Sequence, residues 1–400
     1  MTDRPSRAPA RRMEQLVEST IRGLTVYAAS KGAVNLGQGS PDIGPPDEVV
    51  EAAHQALRDG VHQYVPTWGL PALRAAIAAK THRFYRLAYD PDDETTVTCG
   101  VTEAVIAALM AVADPGDEVV ILEPAHENYH AGVIFAGAAP VWVPIRPPEH
   151  RFDPDELARA MARPRVRAVI FNSPHNPSGR VFTRDELGTI AQLCQQHDVV
   201  AIADEIYEHM TYDGHEHLPI ASLPGMRERT IMISGLSKSY AATGWRVGWA
   251  HAPARFSAAL RKIHDFTTIC APAPLQAASV VAVGLPDRYY QRMRAWYAER
   301  RERTVALLRG AGFDAAPPEG AYYLLAGIAG PAEYAGSGDD DLRFARWAID
   351  ELGIGTIPGS SFYRSDPSLG RGTVRVAFPK SDATLDELER RLAPLRAGLG

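Results

Sequence analysis

Short, mainly apolar runs separated by stretches of helical spacing dominate the middle of the chain. The runs cover residues 96–98, 118–122, 139–143, 168–171, 199–203 and 230–234. Runs this short, without polar alternation, predict strands buried on both faces, as in a parallel sheet covered by helices. Such sheets gather their ligand-binding loops at the carboxyl ends of the strands. Ahead of them, the first dozen residues read as a flexible arm and 12–30 as a polar helix. Residues 34–42 read as a short strand opening into a turn. Apolar positions at helical spacing recur over 46–58 and 70–82. A charged helical stretch over 289–308 leads into a C-terminal α+β portion. The expected class is α/β, a large doubly wound and mostly parallel sheet with a smaller α+β domain.

Composition narrows the field. The 400 residues are 46% hydrophobic, enough for a sizeable core, and the net charge of −6 leaves no basic stripe for nucleic acid. Cys99, Cys194 and Cys270 are too few and too scattered for a disulfide framework or a structural zinc site. Residues 1–13 lack the apolar core of a secretory signal, and the longest apolar stretch, 105–113, is too short to span a bilayer. A cytoplasmic protein without membrane or nucleic-acid partners is expected. His209, His215 and His217 lie in what reads as a polar loop without ligand register, so no metal is expected. Arg294, Arg300, Arg301 and Arg303 read as a solvated helix face.

The chemistry-bearing residues follow the strands. Lys238, preceded by Ser237, lies eight residues before Arg246 in a glycine-flanked turn. A lysine whose ammonium pKa is lowered becomes a nucleophile able to form a Schiff base with an aldehyde, and a nearby arginine can grip a phosphate. Asp204 ends the 199–203 run, with Tyr207 three residues on. A carboxylate buried there requires a cation, such as the pyridinium nitrogen of pyridoxal phosphate; otherwise it caps the strand. Two prolines fix the direction of Asn176 within residues 172–179. Gly100-Val101-Thr102 opens a helix after a strand, the arrangement of an anion site.

Taken in order, GVTEA, NSPHNPSG, DEIY, SGLSK with Arg246, and TVRVA resemble the fold-type I, class I/II pyridoxal-phosphate aminotransferases over about residues 20–392. LGQGSPD, Gln63-Tyr64 and TGWRVGW resemble the kynurenine, methionine and aspartate aminotransferase branch. The resemblance implies a large cofactor domain over 46–288. It also implies a small domain from 289–400 completed by 1–45. The implied activity is transfer of the amino group of an L-amino acid to a 2-oxo acid. The catalytic set would be Lys238, Asp204 and Tyr207. Val101, Thr102, Ser237 and Arg246 would hold the cofactor phosphate, joined by Tyr64 from the neighbouring subunit of a homodimer with shared sites. Arg375 would clamp the substrate α-carboxylate with Asn176 and the Gly39 backbone. Ile21, Ser40, His126, Tyr322 and Phe362 would line the side-chain pocket. None is a second arginine, so apolar, aromatic or sulfur-containing substrates are expected.

Three positions depart from the family pattern. His126 stands where an aromatic ring usually stacks on the cofactor. It implies either plain stacking or proton transfer in an alternative reaction, such as β/γ-elimination, replacement or cyclisation. Gly235 replaces a serine, so one phosphate contact is expected either to be missing or to be taken over by Ser234. Ser40 replaces a larger or acidic residue.

Overall fold

The computed structural model describes residues 9–16 and 18–397. Most of the expected flexible arm lies outside them. Among the described residues the strands run β1 (Val34–Asn35), β2 (Thr95–Thr98), β3 (Glu118–Glu123), β4 (Ala139–Arg146), β5 (Arg151–Phe152), β6 (Val166–Asn172) and β7 (Val200–Asp204). They continue with β8 (Thr230–Gly235), β9 (Gly248–His251), β10 (Asp314–Ala315), β11 (Tyr323–Gly327), β12 (Ile354–Gly355), β13 (Ile357–Pro358) and β14 (Thr373–Ala377).

The apolar runs assemble into an eight-stranded sheet of order β2-β9-β8-β7-β6-β3-β4-β5. Its centre, β8-β7-β6-β3-β4, is parallel. Buried residues of β3, β6 and β7 enter apolar clusters on both faces: Val120, Val169 and Ala201 in one, Ile121, Ile170 and Ile202 in the other. The sheet is mixed, because β9 pairs antiparallel with both β2 and β8. Residues 248–251 did not stand out as a strand. Two glycines explain their place: a Cβ on Gly248 would lie 2.6 Å from the Gly100 carbonyl carbon, and one on Gly235 would lie 3.0 Å from Gly248 Cα.

The C-terminal portion holds an antiparallel sheet β10-β11-β14-β13, and β1 from the N-terminal side pairs with β12. A 24-residue helix, Asp287–Gly310, joins it to the large sheet. Three local readings change. The 12–30 helix is broken into a 3-10 turn, Arg11–Gln15, and a helix, Thr20–Ser30, because the Ser19 side chain accepts from Arg22 N and caps the second segment. His209 is buried against Phe84 and Tyr290, and His217 contacts Glu205 at 3.1 Å, so neither sits in a solvated loop. Arg300 and Arg301 are also buried, paired with Asp382 and Asp213. Among the described residues no helix is long and apolar enough to cross a membrane.

Candidate active site

The ends of β6, β7 and β8 and the start of the Val101–Val112 helix surround a cavity of about 190 Å³. Gln38, Gly39 and Ser40 close it from the N-terminal side, and Tyr323 does so from β11. Lys238 Nζ donates to the Gly39 carbonyl at 2.8 Å and stands 5.1 Å from the Tyr322 ring centre. Withdrawal from water lowers its ammonium pKa; Tyr323 opposes this, while Arg375 and Arg246 add to it. Tyr322 also donates to the Gly39 carbonyl, at 2.6 Å, so its hydroxyl is committed beneath the lysine rather than lining the cavity.

Asp204 is the last residue of β7 and pairs in register with Asn172. Tyr129 donates to its carboxylate at 2.7 Å, Ile206 N at 3.2 Å, and Asn172 Nδ2 donates to its backbone carbonyl at 2.7 Å. No cation pairs with it among the described residues, and burial raises its pKa to about 6 despite the two donors. A carboxylate costly to ionise, aimed into a cavity, fits the place of a bound cation.

A hydrogen-bond chain continues from Asn172, whose Oδ1 accepts Asn176 N at 2.7 Å. Asn176 Oδ1 then accepts Arg375 Nη1 at 2.9 Å, and Arg375 Nη2 donates to the Gly37 carbonyl at 2.6 Å. The guanidinium is 2% exposed, lies 4.2 Å from the Tyr323 ring and 4.8 Å from the Phe362 ring, and leaves Nε without a partner. Tyr207 donates to the Tyr323 hydroxyl at 3.3 Å. Burial pushes both phenols up. For Tyr207 that effect prevails, whereas Lys238 and Arg375 outweigh it at Tyr323 and lower that pKa. A Cβ on Gly39 would collide with the Tyr323 hydroxyl, so glycine is required there.

At the other end of the cavity Gly100 adopts φ +82° and leads into the helix that starts at Val101. A Cβ at Gly100 would meet the Arg246 guanidinium, which among the described residues is otherwise tied only by Nη1 to the Thr243 carbonyl at 2.9 Å. The Ser237 hydroxyl lines the same space, and Thr102 Oγ1 accepts Asn128 Nδ2 at 3.1 Å. Free helix N–H groups, a hydroxyl and an uncommitted guanidinium edge form an anion cradle.

Ser234 does not belong to it. Its hydroxyl donates to Glu208 at 2.7 Å on the opposite face of β8, because side chains alternate along a strand. Gly235 faces Val101, and the close approach of Gly248 leaves no room for a side chain. His126 lines the cavity as the N-cap of the Glu127–Phe135 helix, its Nδ1 accepting Asn128 N at 3.3 Å, so the proton sits on Nε2. Burial, then Arg375 and Lys238, lower its pKa to about 3, which keeps the imidazole neutral near pH 7. In the cofactor-free protein the ring is thus uncharged, with Nε2–H as its donor.

Tyr64 is 78% exposed and lines neither this cavity nor its neighbour. Ile21 and Phe362 line an adjoining cavity of about 260 Å³. Sequence reasoning missed Gln38, Asn128, Tyr129, Thr243 and Tyr323; Tyr129, one helical turn after His126, and Tyr323, beside Tyr322, were the readable signals.

The buried carboxylate without a cation, the anion cradle and the amine between them fit pyridoxal 5'-phosphate. The family model for aminotransferase class I and II matches residues 31–392. A probable N-succinyldiaminopimelate aminotransferase DapC of Mycobacterium tuberculosis is 39% identical, the match covering 96% of this chain and 98% of the relative. Kynurenine–oxoglutarate transaminase 1 of Mus musculus is 35% identical, covering 96% of each. A solved structure of YbdL from Escherichia coli, described as having a methionine aminotransferase function, superposes with a TM-score of 0.90 at 34% identity, covering 97% of this chain and all of that one. Site geometry and family agree: the chain belongs to the class I and II aminotransferases of fold type I, and it is a pyridoxal-phosphate-dependent enzyme that moves an amino group between an amino acid and a 2-oxo acid.

Proposed function

We propose that the amino donor is an L-amino acid with a large side chain, aromatic or long and unbranched (a thioether included), and that two such sites operate in a homodimer. The observation that carries the substrate reading is the apolar wall of Phe362 and Ile21 beside the Arg375–Asn176 pair. The relatives' names point the same way, since they contain N-succinyldiaminopimelate, kynurenine and methionine. Elimination, replacement or cyclisation is not favoured, because the relatives are aminotransferases and His126 is neutral.

Pyridoxal 5'-phosphate supplies an aldehyde that accepts the amino group and a ring that withdraws electrons from the substrate Cα. In this reading Lys238 offers a neutral amine, first as the cofactor's anchor and then as the base and acid at Cα. Asp204 holds the ring's protonated nitrogen, with Tyr129 orienting its carboxylate. Tyr207 and Asn176 donate to the ring's phenolic oxygen, and His126 stacks on the ring face. Val101, Thr102, Ser237 and Arg246 hold the phosphate. Arg375 takes the α-carboxylate in a fork, as its planar guanidinium allows, with Asn176 and the Gly39 backbone fixing its position. The described residues of 1–45 and 289–400 would make up a small domain beside the large one, 46–288.

The homodimer reading rests on Tyr64, Trp68, Phe266 and Ile269, exposed apolar side chains on neighbouring segments: Thr67 hydrogen-bonds Asp265 at 3.0 Å. In a homodimer with shared sites, as the family resemblance implies, Tyr64 would reach the phosphate held in the neighbouring subunit. The test is a screen of single amino acids for loss of the bound cofactor's absorption, with borohydride trapping and peptide mapping. The expected result is reaction with methionine, kynurenine or phenylalanine, with the label on Lys238. Label on another lysine would sink the Lys238 assignment, and reaction confined to alanine or aspartate would sink the side-chain reading.

A further inference from the structure

We infer that His264 is a positioning residue for the cofactor's phosphate: it holds the Glu103 carboxylate, and Glu103 in turn holds the turn that opens the anion cradle. The inference rests on the reading of that turn, with Arg246, as the place of the phosphate. Glu103 lies in the first turn of the Val101–Val112 helix, and one of its carboxylate oxygens accepts the N–H of Cys99, the residue before Gly100. The carboxylate thereby closes a loop around Gly100 and Val101. It sets the direction of the helix's first N–H groups, as a capping-box glutamate does.

Glu103 is gripped from its other side by a second helix, Ala254–Thr267. His264 of that helix is fully buried and brings Nδ1 to 2.7 Å from the second carboxylate oxygen, which also accepts the Thr268 hydroxyl. The remaining ring nitrogen, Nε2, faces the Thr67 carbonyl at 2.9 Å. A carbonyl only accepts, so Nε2 carries a proton, and the contact between Nδ1 and Glu103 needs another. Burial raises the Glu103 carboxyl pKa, but the bonds from His264, Thr268 and Cys99 outweigh it and leave the pKa lowered. The second proton therefore sits on the ring. His264 and Glu103 form a buried imidazolium–carboxylate pair, in which loss of either member leaves the other charge uncompensated. The nearby charged groups are engaged elsewhere. Arg261, one turn earlier on the same helix, donates to the Thr95 carbonyl at 2.8 Å and to the Thr96 hydroxyl at 3.0 Å, and Asp265 accepts the Thr67 hydroxyl at 3.0 Å. Two other buried carboxylates are held without a histidine and away from this turn. Glu208 meets Lys80 at 2.8 Å, and Glu123 accepts the N–H groups of Arg364 and Ser365 at 2.6 and 3.2 Å.

The test compares pyridoxal 5'-phosphate with pyridoxal, which has the same aldehyde and ring but no phosphate, for binding to the cofactor-stripped full chain. The ratio of their dissociation constants isolates the phosphate contribution. His264→Gln and Glu103→Gln should each lower the preference for the phosphorylated form by about tenfold, the low end of what an orienting group is worth behind a metal ligand. The double variant should lose no more than either single one, because the histidine acts through the carboxylate. Arg261→Gln, which loosens the same helix from β2 without touching Glu103, should keep the wild-type ratio. Nitrogen NMR of histidine-labelled protein at pH 7, assigned with His264→Gln, should show both His264 nitrogens protonated in wild type. In Glu103→Gln the amide can donate to Nδ1, which should then be unprotonated. A wild-type ring with a single protonated nitrogen, a ratio unmoved in both His264→Gln and Glu103→Gln, additive losses in the double variant, or an equal loss in Arg261→Gln overturns the inference. Arg246→Ala reports on the cradle by itself. If it leaves the ratio unchanged while His264→Gln lowers it, the Arg246 part of the cradle reading fails and the role of His264 stands.

Discussion

Asp204→Asn should stabilise the cofactor-free protein at neutral pH while removing its activity. Burial raises the carboxyl pKa from 3.8 to about 6, so the folded, cofactor-free protein resists ionising a group that the unfolded chain ionises freely. The sign follows from linkage: with the folded pKa above the unfolded one, there is no penalty below about pH 4. The penalty grows between about pH 4 and 6 and is constant above that. A shift of about two units corresponds to ~3 kcal/mol. Asparagine keeps an oxygen for Ile206 N or Tyr129 but carries no charge, so it escapes the penalty. For a chain of this length, ~3 kcal/mol amounts to ~3–4 °C in melting temperature. The assay is thermal unfolding of cofactor-stripped wild type and variant from pH 4 to 8 at one protein concentration. The expected difference is near zero at pH 4 and favours the variant above pH 6. Adding pyridoxal phosphate at pH 8 should raise the wild-type melting temperature more than the variant's, since its ring nitrogen brings the missing cation. A variant no more stable than wild type at pH 8, or a difference independent of pH, would refute the argument that Asp204 is an uncompensated buried charge.

Two departures from the family pattern carry predictions of their own. His126→Phe should keep transamination within about fivefold and leave both limbs of the pH–rate profile between pH 5 and 9 in place, because a group with a pKa near 3 does not titrate there; a limb that vanishes in the variant would contradict the neutral imidazole. Gly235→Ser, which restores the family's usual residue, should lower stability by about 1–3 kcal/mol through overpacking against Gly248 and the Val247 carbonyl, without tightening cofactor binding. Thermal unfolding and cofactor titration would check both halves, and a tighter-binding, equally stable variant would show that the three-glycine contact can open.

How far the sequence reveals the site depends on whether a residue's position follows from local pattern. Asp204, Asn172 and Gly100 fall at or just after apolar runs, and the carboxyl end of a central parallel strand is where such a fold must present chemistry. Lys238 and Arg246 bracket the turn between β8 and β9 in the same way. Tyr129 and Tyr323 reach the cavity only because a helix and a second sheet pack against the first, over separations of 75 and 116 residues from Asp204 and Tyr207. Their neighbours His126 and Tyr322 mark them as close to the site, but not which groups they meet there. β9 was hidden for the same reason, since its strand character comes from pairing with β2 across 150 residues of chain. Ser234 was a different failure: two-residue alternation in β8 already put it on the face away from the phosphate cradle. Arg300 and Arg301 show the limit of charge patterning, because a run of arginines looks solvated until the distant Asp382 and Asp213 are in place.

The Glu123 carboxylate ties together two distant parts of the chain. It grips the backbone at Arg364 and Ser365 from the end of β3, while the Tyr363 hydroxyl donates to the Ile145 carbonyl in β4 at 2.9 Å. The loop carrying Phe362 and Arg364 comes from the C-terminal portion of the chain, yet it is moored to the large sheet. Any movement of the C-terminal portion against the large sheet would have to bend the residues flanking this loop. The position of Phe362 would then be set by the large sheet and that of Arg375 by the smaller one, so the spacing between the two is what such a movement would change.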